Sequence, residues 1–184
     1  MKKSYWIILI LIGFGFCIYF FAADKIVYAI NCRDLDYSEK LKNEDIRNQG
    51  IEISVCYKSI TDRSIIVIQM IKLTNTNSRA DVFRYLLQLA EKLSDKNFTK
   101  VEFAYKGISK FYLKGEDFRA LGKEYNVQNP MYTIRTFPEK LKKLDGSSAY
   151  ETWTGGIFGV LEQQMKDFTD FHDKWYWNDI TNNK

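Results

Sequence analysis

The chain has 184 residues, 46% apolar and 27% charged, with 27 Lys plus Arg against 23 Asp plus Glu, enough for one domain with a core. Ten glycines, two prolines and 16% aromatic residues exclude a collagen-like or mostly disordered chain. A net charge of +4 is too small to call for nucleic acid, and the single histidine excludes a multi-histidine metal centre; no cofactor or metal is expected.

Lys2 and Lys3 precede Tyr5 and Trp6, and from Tyr5 to Ala23 nineteen residues run without a charge before Asp24 and Lys25. As a helix at ~1.5 Å per residue this run spans ~28 Å, close to the ~30 Å of a bilayer core, and it lacks a polar stripe. Residues 1–23 are expected to form an uncleaved membrane anchor that meets the lipid bilayer through residues 5–23. An export signal cut after Ala29, with Val27 and Ala29 as the small-pocket residues, is the alternative; signal regions run ~7 to 15 apolar residues, shorter than this one. A lipid anchor is disfavoured because Phe16 and Asn31 stand before Cys17 and Cys32. The lysine pair is expected to keep the start of the chain in the cytoplasm and to place the remainder on the far side of the membrane.

Cys17 lies inside the run and reads as a small apolar residue. Cys32 and Cys56 form the remaining pair, and in an oxidising compartment they can bridge, closing a loop of ~25 residues worth ~3 to 4 kcal/mol in loop entropy. Cys56 falls with Glu52, Ser54 and Lys58 on the polar face of a predicted strand, within reach of a segment crossing that face. Bridged and free thiols are both compatible with this spacing.

Residues 24–50, with Arg33, Asp34, Asp36, Glu39 and further charges, have no sustained apolar period and read as a juxtamembrane connector, partly helical at most. Residues 51–184 are the expected exported domain. Ile51 to Tyr57 alternates as a half-buried strand, and Ser64 to Leu73 carries the run Ile65 to Ile68 in a second strand expected to be covered on both faces. A helix follows from Asn77 or Ser78, with Asp81 as a capping-box partner of Ser78 and a stripe of Val82, Leu86, Leu87, Leu89, Ala90 and Leu93. Thr99 to Tyr105 and Ile108 to Leu113 form a hairpin around Lys106 and Gly107, ending at Gly115. This strand-strand-helix-strand-strand order predicts an α+β fold with a mainly antiparallel sheet and C-terminal helices packed on it. Asp117 to Tyr125 reads as a short helix, Asn129 and Pro130 as a cap or the start of an extended segment, and Pro138 as the first turn of a lysine-rich helix to Leu144. A final helix is predicted from about Gly155 to Trp177.

The last fifty residues hold the candidate chemistry. Leu161, Met165, Phe168, His172 and Trp175 fall on one stripe of the final helix, so the lone histidine is expected to be packed and satisfied. As a general base it would need a carboxylate; Asp170 and Asp173 diverge from it on a helix, which leaves Glu151 through tertiary folding. Gly155 and Gly156 at the helix start can present free N–H groups to an anion or allow close packing against Trp153, and Trp175 and Trp177 can stack a sugar ring or fill a core. No nucleophile elbow, metal motif or phosphate loop is present.

The stretches Ala104-Tyr105-Lys106-Gly107, Leu121-Gly122-Lys123-Glu124-Tyr125, Gln128-Asn129-Pro130, Arg135-Thr136-Phe137-Pro138, Thr152-Trp153-Thr154-Gly155-Gly156 and Asp167-Phe168-Thr169-Asp170-Phe171-His172-Asp173-Lys174-Trp175-Tyr176 resemble small exported or membrane-anchored bacterial proteins of uncharacterised function. The resemblance implies a bacterial envelope setting and assigns no catalytic residue. The expected function is a non-enzymatic domain that binds an envelope protein or glycan through Trp153, Gly155, Gly156, Trp175 and Trp177, immunity to a secreted toxin being one version. The alternative is an envelope hydrolase using His172 and Glu151.

Overall fold

The computed structural model describes residues 31, 32, 35, 37–155 and 157–182. The expected span at residues 5–23, and Gly156, lie outside the described residues; among those described, no helix is long and apolar enough to cross a membrane.

Strand β1 (Ile51–Tyr57) follows its alternation, with Ile51, Ile53, Val55 and Tyr57 buried and Glu52, Ser54 and Cys56 half-buried on the other face. It pairs antiparallel with β2 (Ile65–Leu73), setting Val55 opposite Ile68; β2 is covered on one face rather than both, with Ile66, Ile68 and Met70 buried and Ile65 and Val67 half-buried, because the helices pack on one side of the sheet only. Helix α2 (Arg79–Lys92), the first long helix after the short α1 (Ser38–Glu44), begins at the expected capping box. The Asp81 N–H donates to Ser78 Oγ at 3.2 Å, and the Ser78 N–H donates to the Asp81 carboxylate at 2.8 Å. Two otherwise orphaned donors are thereby satisfied.

Strand β3 (Lys100–Tyr105) lies parallel to β2, Ile68 facing Phe103, and β4 (Ile108–Lys114) returns antiparallel to β3. The order is β1-β2-β3-β4, so the fold is α+β as expected but the sheet is mixed rather than mainly antiparallel. The two hairpins carry the strong local signals. Between them the 14 residues of α2 extend ~21 Å and carry the chain back along the sheet, so β3 sets off in the direction of β2. The β3–β4 turn has positive φ at Lys106 (49°) and Gly107 (77°), the backbone that a two-residue hairpin requires.

Beyond the sheet, α3 (Gly115–Glu124) starts where a strand end was expected, and α4 (Pro130–Thr136) is capped by Asn129, whose Oδ1 accepts from the Met131 N–H at 2.9 Å. Gly122 lets α3 press on α2, because a Cβ there would stand 2.2 Å from the Ala90 carbonyl oxygen. The lysine-rich helix expected from Pro138 to Leu144 is a single tight turn, Pro138–Lys140. Lys142 then exchanges backbone hydrogen bonds of 2.9 Å with Tyr112, and Leu141 is fully buried. An extended chain here seats Leu141 and occupies free groups on the β4 edge, which a helix would leave open.

One face of the sheet is covered by the helices. Phe83 of α2 meets Phe168 of α5 (Ile157–His172) at 5.2 Å between ring centroids, and Phe103 and Phe111 of the sheet meet Phe171 at 5.4 and 5.6 Å. Edge-on contacts of this kind add to the ~1.5–3 kcal/mol that each buried ring contributes by leaving water. Leu35 and Leu41 of the connector stretch are also in this core. Asn48 ties that stretch to α2, its Nδ2 donating to the Leu41 carbonyl at 2.8 Å and to Gln88 Oε1 at 2.6 Å. On the opposite face Cys32 and Cys56 form a disulfide.

Candidate functional site

The C-terminal segment, where sequence places the chemistry, is built into the core. After α5 the chain makes a π-helical turn, Asp173–Trp177, and a last short helix α6, Asn178–Thr181. The buried stripe is Gln164, Phe168, Phe171, His172, Trp175 and Tyr176, with the expected Leu161 and Met165 at its half-buried flank. A polar Gln164 takes the inner place because it is satisfied there: its Oε1 accepts from Arg135 Nε and its Nε2 donates to Glu139 Oε1, both at 2.9 Å.

His172 is fully buried, its ring within 5 Å of the Phe168 and Phe171 rings between centroids. Its Nδ1 lies 3.0 Å from the Tyr176 hydroxyl, and Nε2 has no hydrogen-bond partner among the described residues. Burial, with a smaller contribution from the Arg79 charge, pushes its pKa down to about 3, so the ring is neutral near neutral pH. Packed, as expected, it is only half satisfied. Glu151 is exposed, and among the described residues no hydrogen bond joins it to His172. The acid–base pair that hydrolysis would need is not assembled.

The expected binding residues are dispersed. Trp175 is fully buried, and its Nε1 donates to the Ala104 carbonyl at 2.9 Å; it presents nothing to a partner, because the π turn aims it at the sheet. Trp177 is half-buried under the Arg79 guanidinium, 4.2 Å from its ring centroid, and Arg79 Nε donates to Asp173 at 2.9 Å. Trp153 donates from Nε1 to Asp167 at 2.7 Å, and Tyr150 donates from its hydroxyl to Asp170 at 2.9 Å. These two bonds clamp residues 150–153 against α5. Burial and the neighbouring Asp170 raise the Tyr150 hydroxyl well above the usual tyrosine range. Gly155 is exposed with φ +132°, and nothing lies within 4 Å of where its Cβ would be.

A cleft of about 490 Å³ opens between α2, α3 and α4, walled by Phe83, Leu87, Leu121 and Ile134, with Arg47, Glu124, Asn126 and Gln128 also lining it. That size and that apolar lining are those of a binding site. Its arginines are engaged: Arg47 grips Asp45 through Nε at 2.9 Å and Nη2 at 2.8 Å, while Arg84 Nη1 donates to Asp81 at 2.7 Å. The Arg47 grip holds the Asp45 carboxyl far below the usual carboxylate range. Both arginines are thus paired with carboxylates, although Arg84 Nε, 3.3 Å from Asp45, has no hydrogen-bond partner among the described residues, and the walls between them are mainly apolar. Close by in sequence are Ile46, 81% exposed, Val127, 86% exposed, and Met131.

The chain matches no family model, no curated protein and no solved structure. The cleft was not legible in the sequence, since α2 meets the later α3 and α4 only in the folded chain. The available signal was Val127 and Met131, apolar residues on either side of Gln128-Asn129-Pro130. Among the described residues no group of His, Cys, Asp and Glu could hold a metal ion.

Proposed function

We propose that this chain is a single-span protein of the bacterial inner membrane whose domain in the periplasm binds another envelope component without catalysing a reaction, in the manner of an immunity protein. Three observations support the reading: the uncharged run from Tyr5 to Ala23, the disulfide nine residues beyond it, and the α2–α3–α4 cleft. The cleft carries it. Exposed Val127 and Met131 flank the lining residues Gln128 and Pro130 in sequence, and its apolar walls suit an apolar side chain of a partner protein.

Photo-crosslinking groups at Val127 and Met131, in membranes of the native host, are expected to capture one partner that a group at Lys166 on α5 does not. Ala80→Trp, at an exposed position lining the cleft, should fill it and abolish that adduct. An adduct unaffected by the filled cleft, or formed equally well from Lys166, overturns the reading.

A further inference from the structure

We infer that the outer face of the sheet docks on anionic lipid headgroups of the membrane that holds the anchor, leaving the helix layer and its cleft turned away from the bilayer. The inference rests on the anchor reading above. Its residues follow from strand register. The Lys58 N–H donates to the Ile65 carbonyl at 2.9 Å, extending the β1–β2 pairing by one place; Ile65 stands opposite Lys100, and Lys100 opposite Lys114. One row across the outer face is therefore Lys58, Ile65, Lys100 and Lys114. The next is Cys56, Val67, Glu102 and Tyr112, extended by Lys142 paired with Tyr112.

Among the described residues, the acids of this face are paired. Glu102, its side chain 3% exposed, accepts from Lys58 Nζ and from Ser109 Oγ, both at 2.7 Å, and Glu52 lies 3.8 Å from Lys72 Nζ. Lys100, Lys114 and Lys142 are in excess. Glu116 stands 3.5 Å from Lys114, but both side chains are more than half exposed, where such a pair is weak. The described residues of this face thus carry net positive charge around Ile65, Val67 and Tyr112, with the Lys100 ammonium 4.3 Å from the Tyr112 ring centroid.

The tether delivers this face to the membrane. Cys32 is bonded to Cys56 on it, and Asn31 and Cys32 line a groove of about 380 Å³ there with Lys58, Glu102 and Ser109. Cys32 follows Ala23 by nine residues, a reach of at most ~30 Å. A domain of this size is about 40 Å across, so the helix layer cannot reach the bilayer while the chain leaves from the opposite side. A lysine close to an anionic surface gains about a fivefold preference for the docked arrangement, an effect that salt screens.

The test uses the full chain in lipid nanodiscs, zwitterionic or containing phosphatidylglycerol, with a water-soluble amine-acylating reagent and mass spectrometry as the readout. Lys100, Lys114 and Lys142 are expected to react about fivefold more slowly in anionic discs at low salt and to recover at high salt, with Lys166 and Lys174 of the helix layer unchanged. Lys100→Gln with Lys114→Gln should remove the protection of Lys142. Equal labelling in both discs, or protection of Lys166 and Lys174 instead, overturns the docking face and leaves the anchor standing. A chain that stays out of the discs overturns the anchor reading, and the docking face with it.

Discussion

His172 enters the folded state without a charge, and this makes the domain sensitive to acid. Its pKa falls from the ordinary 6.5 to about 3 because burial penalises the imidazolium. Between those values the unfolded chain binds a proton that the folded chain refuses. Stability is therefore undiminished above about pH 6.5 and falls as pH falls, by at most ~1.4 kcal/mol per pH unit. The depressed carboxyls, Asp45 and Asp81 among them, act with the same sign but only below about pH 4. Since the chain has one histidine, urea unfolding between pH 6.5 and 5 isolates it. His172→Gln should flatten the dependence in that window, and an unchanged slope would place the titrating group elsewhere. The Tyr176 hydroxyl is the ring's single hydrogen-bond partner among the described residues. Tyr176→Phe should cost ~1–3 kcal/mol at pH 7, the desolvation cost of a buried polar atom left alone, read as a lower urea midpoint with an unchanged slope.

At the scale of elements, the contact between α2 and α3 sets two preferences against each other. Alanine is favoured over glycine in a helix by about 1 kcal/mol, yet a Cβ at Gly122 would press on the Ala90 carbonyl at 2.2 Å. Backbone cannot swing aside as a side chain can, so Gly122→Ala should destabilise despite its better propensity, and a raised melting temperature would show the two helices free to part. The end of α5 and the π turn answer to volume instead. Trp175→Ala and Phe168→Ala, which empty fully or almost fully buried sites, should each cost ~3 to 5 kcal/mol, while exposed Lys174→Ala should leave the melting temperature near the parent value. Much of this layer was legible in sequence for local reasons: the alternation of Ile51 to Tyr57, the Ser78 and Asp81 box, and the Lys106-Gly107 turn all act within a few residues. The parallel β2–β3 pairing was not, because the direction of β3 depends on how a whole helix packs. The turn at Pro138 was hidden for a related reason, since the free β4 edge that claims Lys142 lies some thirty residues upstream. The cleft is assembled from three elements and left only Val127 and Met131 as a trace, whereas the conspicuous tryptophans went largely to the core and to clamps.

The disulfide joins the fold to the compartment, so one measurement bears on the whole molecule. Cys32–Cys56 ties the connector to the edge strand β1 across 24 residues of sequence. Closing a loop of that size removes unfolded-chain entropy worth ~3 kcal/mol. A bond of this kind persists outside the cytoplasm and is reduced inside it. The chain has three cysteines, of which Cys17 falls in the apolar run and serves as an internal standard. Full-length protein taken directly from cells into denaturant with an alkylating agent should therefore gain one label before reduction and three after it. Cys32→Ser should lower unfolding stability by ~2–4 kcal/mol under oxidising conditions and by nothing further once the parent has been reduced. Three labels without prior reduction would show both thiols free in the cell. That result would remove the tether from the outer face of the sheet and, with it, the chemical argument for a domain beyond the inner membrane.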